Sequence, residues 1–91
     1  MNDKSYLISY DLIAPGRNYD KLFEAIKAYP KWAKLLESVW VIKSSRSAAE
    51  VRDNLQNYID KNDKLIVMNL SREAAWYNLP DTVTKWLQEN L

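Results

Sequence analysis

Three short runs rich in branched and aromatic residues alternate with two segments whose apolar residues follow helical spacing. The runs lie at residues 6–12, 35–42 and 65–70, and their composition is typical of β-strands. Residues 18–29 and 47–59 place their apolar side chains along one side of a helix. A chain with this alternation must cover a sheet with helices, which restricts it to the α/β or α+β class.

Capping residues mark the expected ends of the helices. Asn18 can cap the first helix, and Pro30 ends it. Ser47 and Glu50 have the spacing of a capping box, in which each side chain accepts a hydrogen bond from the other residue's amide. Asp81 is expected to cap a last helix near the C-terminus.

The second run, at residues 35–42, decides the topology, and residues 32–34 before it can continue this strand region or form a separate turn. As one strand, it gives the sequential alternation of a parallel βαβ sheet. As a bent segment that supplies two strands, it gives βαββαβ, the split arrangement of ferredoxin-like folds, and its length favours this second interpretation. We therefore expect residues 1–91 to form a single α+β domain, a ferredoxin-like βαββαβ sandwich with helices covering one face of the sheet and an additional C-terminal helix. Residues 75–79 stay unplaced, since they suit either a strand or a loop.

Composition excludes several kinds of site. The chain has no Cys and no His and a single Gly, which excludes thiolate and imidazole chemistry, Cys/His zinc sites and glycine-rich phosphate loops. Any reaction would have to use carboxylates, hydroxyls, Lys or Tyr. Basic and acidic residues number 13 and 12, so no global field attracts a polyanion. Because no signal-peptide pattern or membrane-spanning run is present, we expect a cytoplasmic protein without membrane contact.

The alternation of strand residues predicts which side chains face the helices. If Tyr6, Ile8 and Tyr10 face them, Ser9 and Asp11 lie on the opposite face. We expect the second and third runs to leave several apolar residues on that open face, which must be covered by the aromatic C-terminal tail or by a second subunit. The expected homodimer interface is centred on Leu36, Trp40 and Val67.

Two short motifs carry a family resemblance. The first run ends in Tyr10-Asp11, and Ser38-Val39-Trp40 follows in the second run. These segments resemble the second CRISPR-associated protein (Cas-two), in which a first strand ends in Tyr-Asp and the next carries Ser-Val-Phe; Trp40 stands where that family usually has Phe. The chain is also similar to the SinR-like proteins that are grouped with that family, and the resemblance extends to about residue 70.

The resemblance implies a ferredoxin-like homodimer in which Asp11 from each subunit is the catalytic carboxylate and holds Mg²⁺ near the two-fold axis. It implies an endonuclease that acts on RNA, or on DNA, with Ser9, Ser38 and Arg17 in support. The family normally has more basic residues after its first strand, where only Arg17 appears before the first helix.

Two alternatives stay open. Asp11 can instead cap the turn that follows its strand. The dimer can also be a non-catalytic module that binds nucleic acid, a protein or a small ligand.

Overall fold

The computed structural model describes residues 3–13 and 19–91, which form a four-stranded antiparallel sheet packed against helices. The strands lie in the order β2-β3-β1-β4. No helix within these ranges is both long and apolar enough to cross a bilayer. The elements are β1 (Lys4–Asp11), α1 (Asp20–Lys27), β2 (Lys31–Leu36), β3 (Val39–Ser44), α2 (Ala48–Leu55), β4 (Lys64–Asn69) and α3 (Asp81–Asn90). The expected ferredoxin-like α+β fold with an additional C-terminal helix is confirmed.

The apolar region that decided the topology folds as a hairpin. β2 and β3 pair antiparallel across a turn at Glu37 and Ser38, with a register shift between Lys34 and Leu36. Because the turn needs only two residues, a single apolar run supplies two strands. The bent interpretation of this region is therefore confirmed.

One face of the sheet packs against α1 and α2. Tyr6, Ile8 and Tyr10 lie on this face as expected and are at most 7% exposed. The helices contribute residues with no exposed surface to the same core, namely Leu22, Ile26, Val51 and Leu55. The two residues on each helix are four positions apart, so each pair lies on one side of its helix.

The expected faces of β3 and β4 are wrong. Ile8 pairs with Trp40 on one side and with Val67 on the other, and directly paired residues of antiparallel strands share a face. Trp40 is consequently 2% exposed in the helix-side core, and Val67 packs against that core. Neither residue lies on the open face, so neither can centre an interface there.

The opposite face of the sheet is partly covered by α3. Ala33 and Val41 pair with each other on this face and are 7% and 1% exposed. The Lys43 Nζ donates a hydrogen bond of 2.8 Å to the carbonyl of Asn90, the last residue of α3. A cation at the carbonyl end of a helix is favourable because unpaired carbonyls and the helix dipole make that end negative.

The helix starts agree only in part with the capping residues. The capping box of Ser47 and Glu50 is present, with both hydrogen bonds formed. Pro80 occupies the N-cap of α3, so the expected Asp81 cap is wrong and Asp81 lies in the first turn. The N-cap of α1 is Tyr19, and Asn18 lies outside the described residues.

The segment at residues 75–79 forms no strand and leads into α3 as irregular structure. Its Trp76 indole donates a hydrogen bond of 3.1 Å to Thr84 Oγ1 on that helix. Asn78 has a φ of 63°, a left-handed conformation that Asn tolerates better than most residues. The segment therefore serves as the approach to the C-terminal helix.

Candidate functional site

Asp11 ends β1 as an exposed residue on the face opposite α1 and α2. Its neighbour across the β1–β4 pair is Lys64. Ser9, Asp11, Lys64 and Ile66 line a shallow depression of about 180 Å³. A carboxylate, a hydroxyl and an ammonium group thus share one open surface at the end of the strand.

Asp63, and not Asp11, accepts the hydrogen bond that would cap the turn after β1. An Asp that caps its own turn accepts a hydrogen bond from the amide two residues later, which for Asp11 is the amide of Ile13. That amide instead donates to Asp63 Oδ1 at 2.8 Å. Asp63 Oδ2 also accepts hydrogen bonds of 2.7 Å from the Tyr19 hydroxyl and from the Asp60 amide. Asp63 therefore ties the end of β1 to the start of α1 and to the turn before β4.

The Asp11 carboxylate has no such structural partner. Within residues 3–13 and 19–91, no donor is hydrogen-bonded to it and it forms no ion pair, although Lys64 lies on the adjacent strand. An exposed carboxylate without an internal partner is available to a cation or to another molecule. This separates Asp11 from Asp63, whose oxygens are held by backbone and side-chain donors.

One copy of the chain offers few metal ligands. The described part of the chain contains no group of three or more His, Cys, Asp or Glu side chains placed to hold a metal ion. Mg²⁺ keeps several water ligands and needs only one or two carboxylates, with substrate phosphates completing its coordination. Asp11 suits such a site once a second carboxylate or a phosphate is brought to it.

The remaining residues of the expected site are only partly assembled. Ser9 lies two residues before Asp11 on the same face and lines the same depression. Ser38 lies in the β2–β3 turn, where its carbonyl accepts a hydrogen bond of 3.3 Å from the Tyr10 amide, and it does not line the depression. Arg17 lies outside the described residues. The structure therefore brings Ser9, and not Ser38, to Asp11.

An uncovered apolar surface borders Asp11. Leu36, Ile66 and Met68 are 58%, 50% and 52% exposed. Strand pairing places Leu36, Val39, Ser9 and Ile66 in one row across the sheet, with Leu7 and Met68 in the next row. We call this surface the open patch; it consists of Leu7, Leu36, Val39, Ile66 and Met68. Leu36 keeps its expected place, whereas Ile66 and Met68 lie where Trp40 and Val67 were expected.

Tyr10, the other half of the Tyr-Asp motif, belongs to the core. Its hydroxyl accepts a buried hydrogen bond of 2.9 Å from the Trp40 indole. Burial raises the pKa of the Tyr10 hydroxyl, an effect that the hydrogen bond from Trp40 opposes and the nearby Glu37 carboxylate reinforces. The Tyr10 hydroxyl, held in the core by this hydrogen bond, stabilises the fold, and Tyr10 also lines the depression beside Asp11.

Comparison with known proteins supports the fold and gives no information on activity. No protein-family model matches the chain. The chain is similar to the crystal structure of a hypothetical protein, TT1823 from Thermus thermophilus, with a TM-score of 0.65 and 20% sequence identity, over 86% of this chain and 95% of that one. Two chains that are this different in sequence share the α+β fold, and the likeness carries no activity from one to the other.

Proposed function

We propose that the chain acts as a Cas-two-like or SinR-like homodimer, a Mg²⁺-dependent endonuclease that cleaves RNA, or DNA, phosphodiesters at a site containing Asp11 from both subunits. One observation carries the proposal: the exposed Asp11 carboxylate has no partner among the described residues and lies at the border of the open patch. Packing two open patches face to face across a two-fold axis would bring two copies of Asp11 toward each other.

The residues at this border fit the chemistry of a hydrated cation. Two carboxylates that approach each other repel, and a divalent cation relieves that repulsion. A bound Mg²⁺ supplies an activated water and neutralises charge on a phosphodiester. Asp11 would hold the cation, the Ser9 hydroxyl would orient a water or a phosphate oxygen, and the Lys64 ammonium would attract the phosphate.

A non-catalytic binding dimer is the second candidate. Lys64 is the direct cross-strand neighbour of Asp11, and opposite charges at paired positions of a sheet attract each other. The lysine can thus compensate the carboxylate without a metal ion. In that case the surface binds nucleic acid, a protein or a small ligand and leaves its bonds intact.

Digestion of labelled RNA and DNA with and without Mg²⁺ or Mn²⁺ tests the proposal. Wild type should cleave only with metal, and Asp11→Asn should reduce cleavage to background because the substitution removes the charged ligand and keeps the shape. Asp3→Asn is the matched control, since Asp3 is exposed beside the opposite end of β1. Absence of cleavage by wild type would favour the binding dimer, and an active Asp11→Asn would exclude Asp11 as the metal ligand.

Thermal melting of the same proteins gives a second readout. Metal that binds only the folded dimer raises the wild-type Tm by mass action, and Asp11→Asn should lose this response. The substitution should also raise the Tm in metal-free buffer, because the repulsion between the two carboxylates is gone. A structural Asp11 gives the reverse pattern: no response to metal in wild type and a lower Tm for Asp11→Asn.

A further inference from the structure

A second surface combines an exposed indole with two lysines, on the face of the sheet opposite Asp11. Trp32 lies on β2, at an edge of the sheet, and is 38% exposed. The Lys27 Nζ, from the end of α1, lies 5.4 Å from the centre of the Trp32 ring. The Lys34 Nζ lies 5.7 Å from the ring of Trp40, which is itself 5.6 Å from the Trp32 ring.

Two lysines supply the positive charge of this surface. Other basic residues nearby in sequence belong elsewhere, since Lys31 and Lys43 pair with each other on the opposite face of the sheet and Arg46 forms an ion pair with Glu50. In the part of the chain that the structure describes, neither Lys27 nor Lys34 forms an ion pair with a carboxylate. Their ammonium groups are instead held beside aromatic rings by the attraction between a cation and the ring face.

We propose that Trp32, Lys27 and Lys34 form a binding surface for single-stranded nucleic acid. An exposed indole offers a stacking platform for a base, and stacking accepts every base because each has a flat π-face. The ammonium groups of Lys27, beside the Trp32 ring, and of Lys34, beside the adjacent Trp40 ring, supply positive charge for the phosphates of the same strand. Binding of this kind needs neither a metal ion nor bond cleavage, so it is independent of the chemistry at Asp11 and also suits a dimer that only binds.

The arrangement fits a nucleic acid better than an acidic protein. A carboxylate-rich segment would pair with the lysines but would make no use of the exposed part of the Trp32 indole. A single strand uses both features together, since each nucleotide joins a base to a phosphate. The near-neutral net charge of +1 limits nonspecific attraction, so recognition depends on this local surface.

Fluorescence anisotropy with a labelled RNA of about 12 nucleotides, a length within the usual range of such sites, tests the proposal. EDTA in the buffer keeps the measurement separate from metal-dependent cleavage. Trp32→Leu should weaken binding about tenfold, the order expected for the loss of one stacked base. Tyr77→Leu is the aromatic control, because Tyr77 is 92% exposed and lies outside this surface.

The lysines are tested by the salt dependence of the same binding. Lys27→Gln combined with Lys34→Gln should lower the slope of log K against log salt by about 1.4, because each phosphate contact on a single strand contributes about 0.7. Lys61→Gln combined with Lys85→Gln makes the same change in net charge at exposed positions elsewhere and should leave the slope unchanged. This lysine pair keeps the proposal testable if Trp32→Leu fails to fold, which melting curves will show.

Three results would overturn the proposal. Failure of the wild-type protein to bind the RNA would show that it has no such binding surface. A Trp32→Leu variant that folds and binds as wild type does would exclude stacking on that indole. Poly-glutamate that displaces the RNA at an equal concentration of charge would identify the surface as one for acidic proteins.

Discussion

Trp40 carries a polar N–H group into the helix-side core, where the Tyr10 hydroxyl accepts its hydrogen bond at 2.9 Å. Tyr10→Phe keeps the ring and removes the acceptor, so a buried donor is left without a partner. We expect the free energy of unfolding to fall by about 1–3 kcal/mol, measured by chemical denaturation. Tyr77→Phe changes a residue that is 92% exposed and should have no effect, and an equal loss in both variants would contradict this role for Tyr10.

The same hydroxyl should make stability depend on pH in the alkaline range. Its pKa is raised above the ordinary 10.0, mainly by burial, so folding favours the neutral form. The resulting stability is fully present below pH 10 and is lost as the pH rises through the higher pKa of the folded state. The stability difference between wild type and Tyr10→Phe should therefore shrink above pH 10, and a difference that grows there would contradict the assignment.

Individual residues differ in how much of their role the sequence reveals. Asp11 is predicted to be a metal ligand because a family resemblance implies that role for the Asp at the end of the first strand. The choice between a capping role and a free carboxylate depends on Asp63, which lies 50 positions from the amide of Ile13 that it binds. No local pattern encodes that contact, so only the folded chain shows that Asp63 holds the turn. The partnership of Lys27 with Trp32 also depends on how α1 meets the edge strand.

At the scale of the element, α2 begins at the position that the capping box of Ser47 and Glu50 predicts. Ser47 Oγ accepts from the Glu50 amide at 3.1 Å, and the Glu50 carboxylate accepts from the Ser47 amide at 3.0 Å. Ser47→Ala should lower the free energy of unfolding by about 1 kcal/mol, the usual loss when an N-cap is removed. Chemical denaturation measures this, and Ser71→Ala, at an exposed loop position, is the control. Unchanged stability of Ser47→Ala would contradict the cap.

The capping box should also weaken in acid. The hydrogen bond from the Ser47 backbone lowers the pKa of Glu50 below its ordinary 4.5, so the folded state favours the charged form. Its contribution is present above pH 4.5 and is lost as the pH falls through the lower pKa of the folded state. Glu50→Gln should remove this component from the pH dependence of stability, and identical acid profiles for the two proteins would contradict it.

The strands show why a sequence can locate a strand and still not reveal which of its side chains face the helices. β1 alternates in burial over most of its length, and the expectation that Tyr6, Ile8 and Tyr10 face the helices is confirmed. In β3 the residues Val39, Trp40, Val41 and Ile42 are all apolar, so the pattern has no period of two and gives no sign of which residues face the helices. The pairing of Ile8 with Trp40 settles the matter, and it is a contact between strands that are distant in sequence.

At the scale of the whole molecule, the two faces of the sheet are covered to different extents. α1 and α2 cover the core side, whereas α3 buries only the part of the other face that contains Ala33 and Val41. The C-terminal helix thus covers part of the face that the sequence predicts to need either the C-terminal tail or a second subunit. The open patch remains, with Leu36, Ile66 and Met68 each at least 50% exposed.

The open patch predicts a homodimer that a single charge should dissociate. Met68 is 52% exposed, so Met68→Asp should leave the monomer folded, yet it places a charge in the apolar centre of the proposed interface, where burying it without a partner is costly. Sedimentation at micromolar concentration should show a dimer for wild type and a monomer for Met68→Asp. Tyr77→Asp introduces the same charge at an exposed site outside the patch and should remain dimeric.

Dissociation should also abolish the response to metal, although Met68 touches no cation. If Asp11 binds Mg²⁺ only when two copies meet, the monomeric Met68→Asp variant should show no rise in Tm with metal, even though its Asp11 carboxylate is intact. A metal response that survives in the monomer would mean that one Asp11 is sufficient and that the dimer has another purpose. Wild type that sediments as a monomer would exclude the paired site, because that site needs Asp11 from two copies. The described part of one chain holds no group of three or more candidate metal ligands that could replace it.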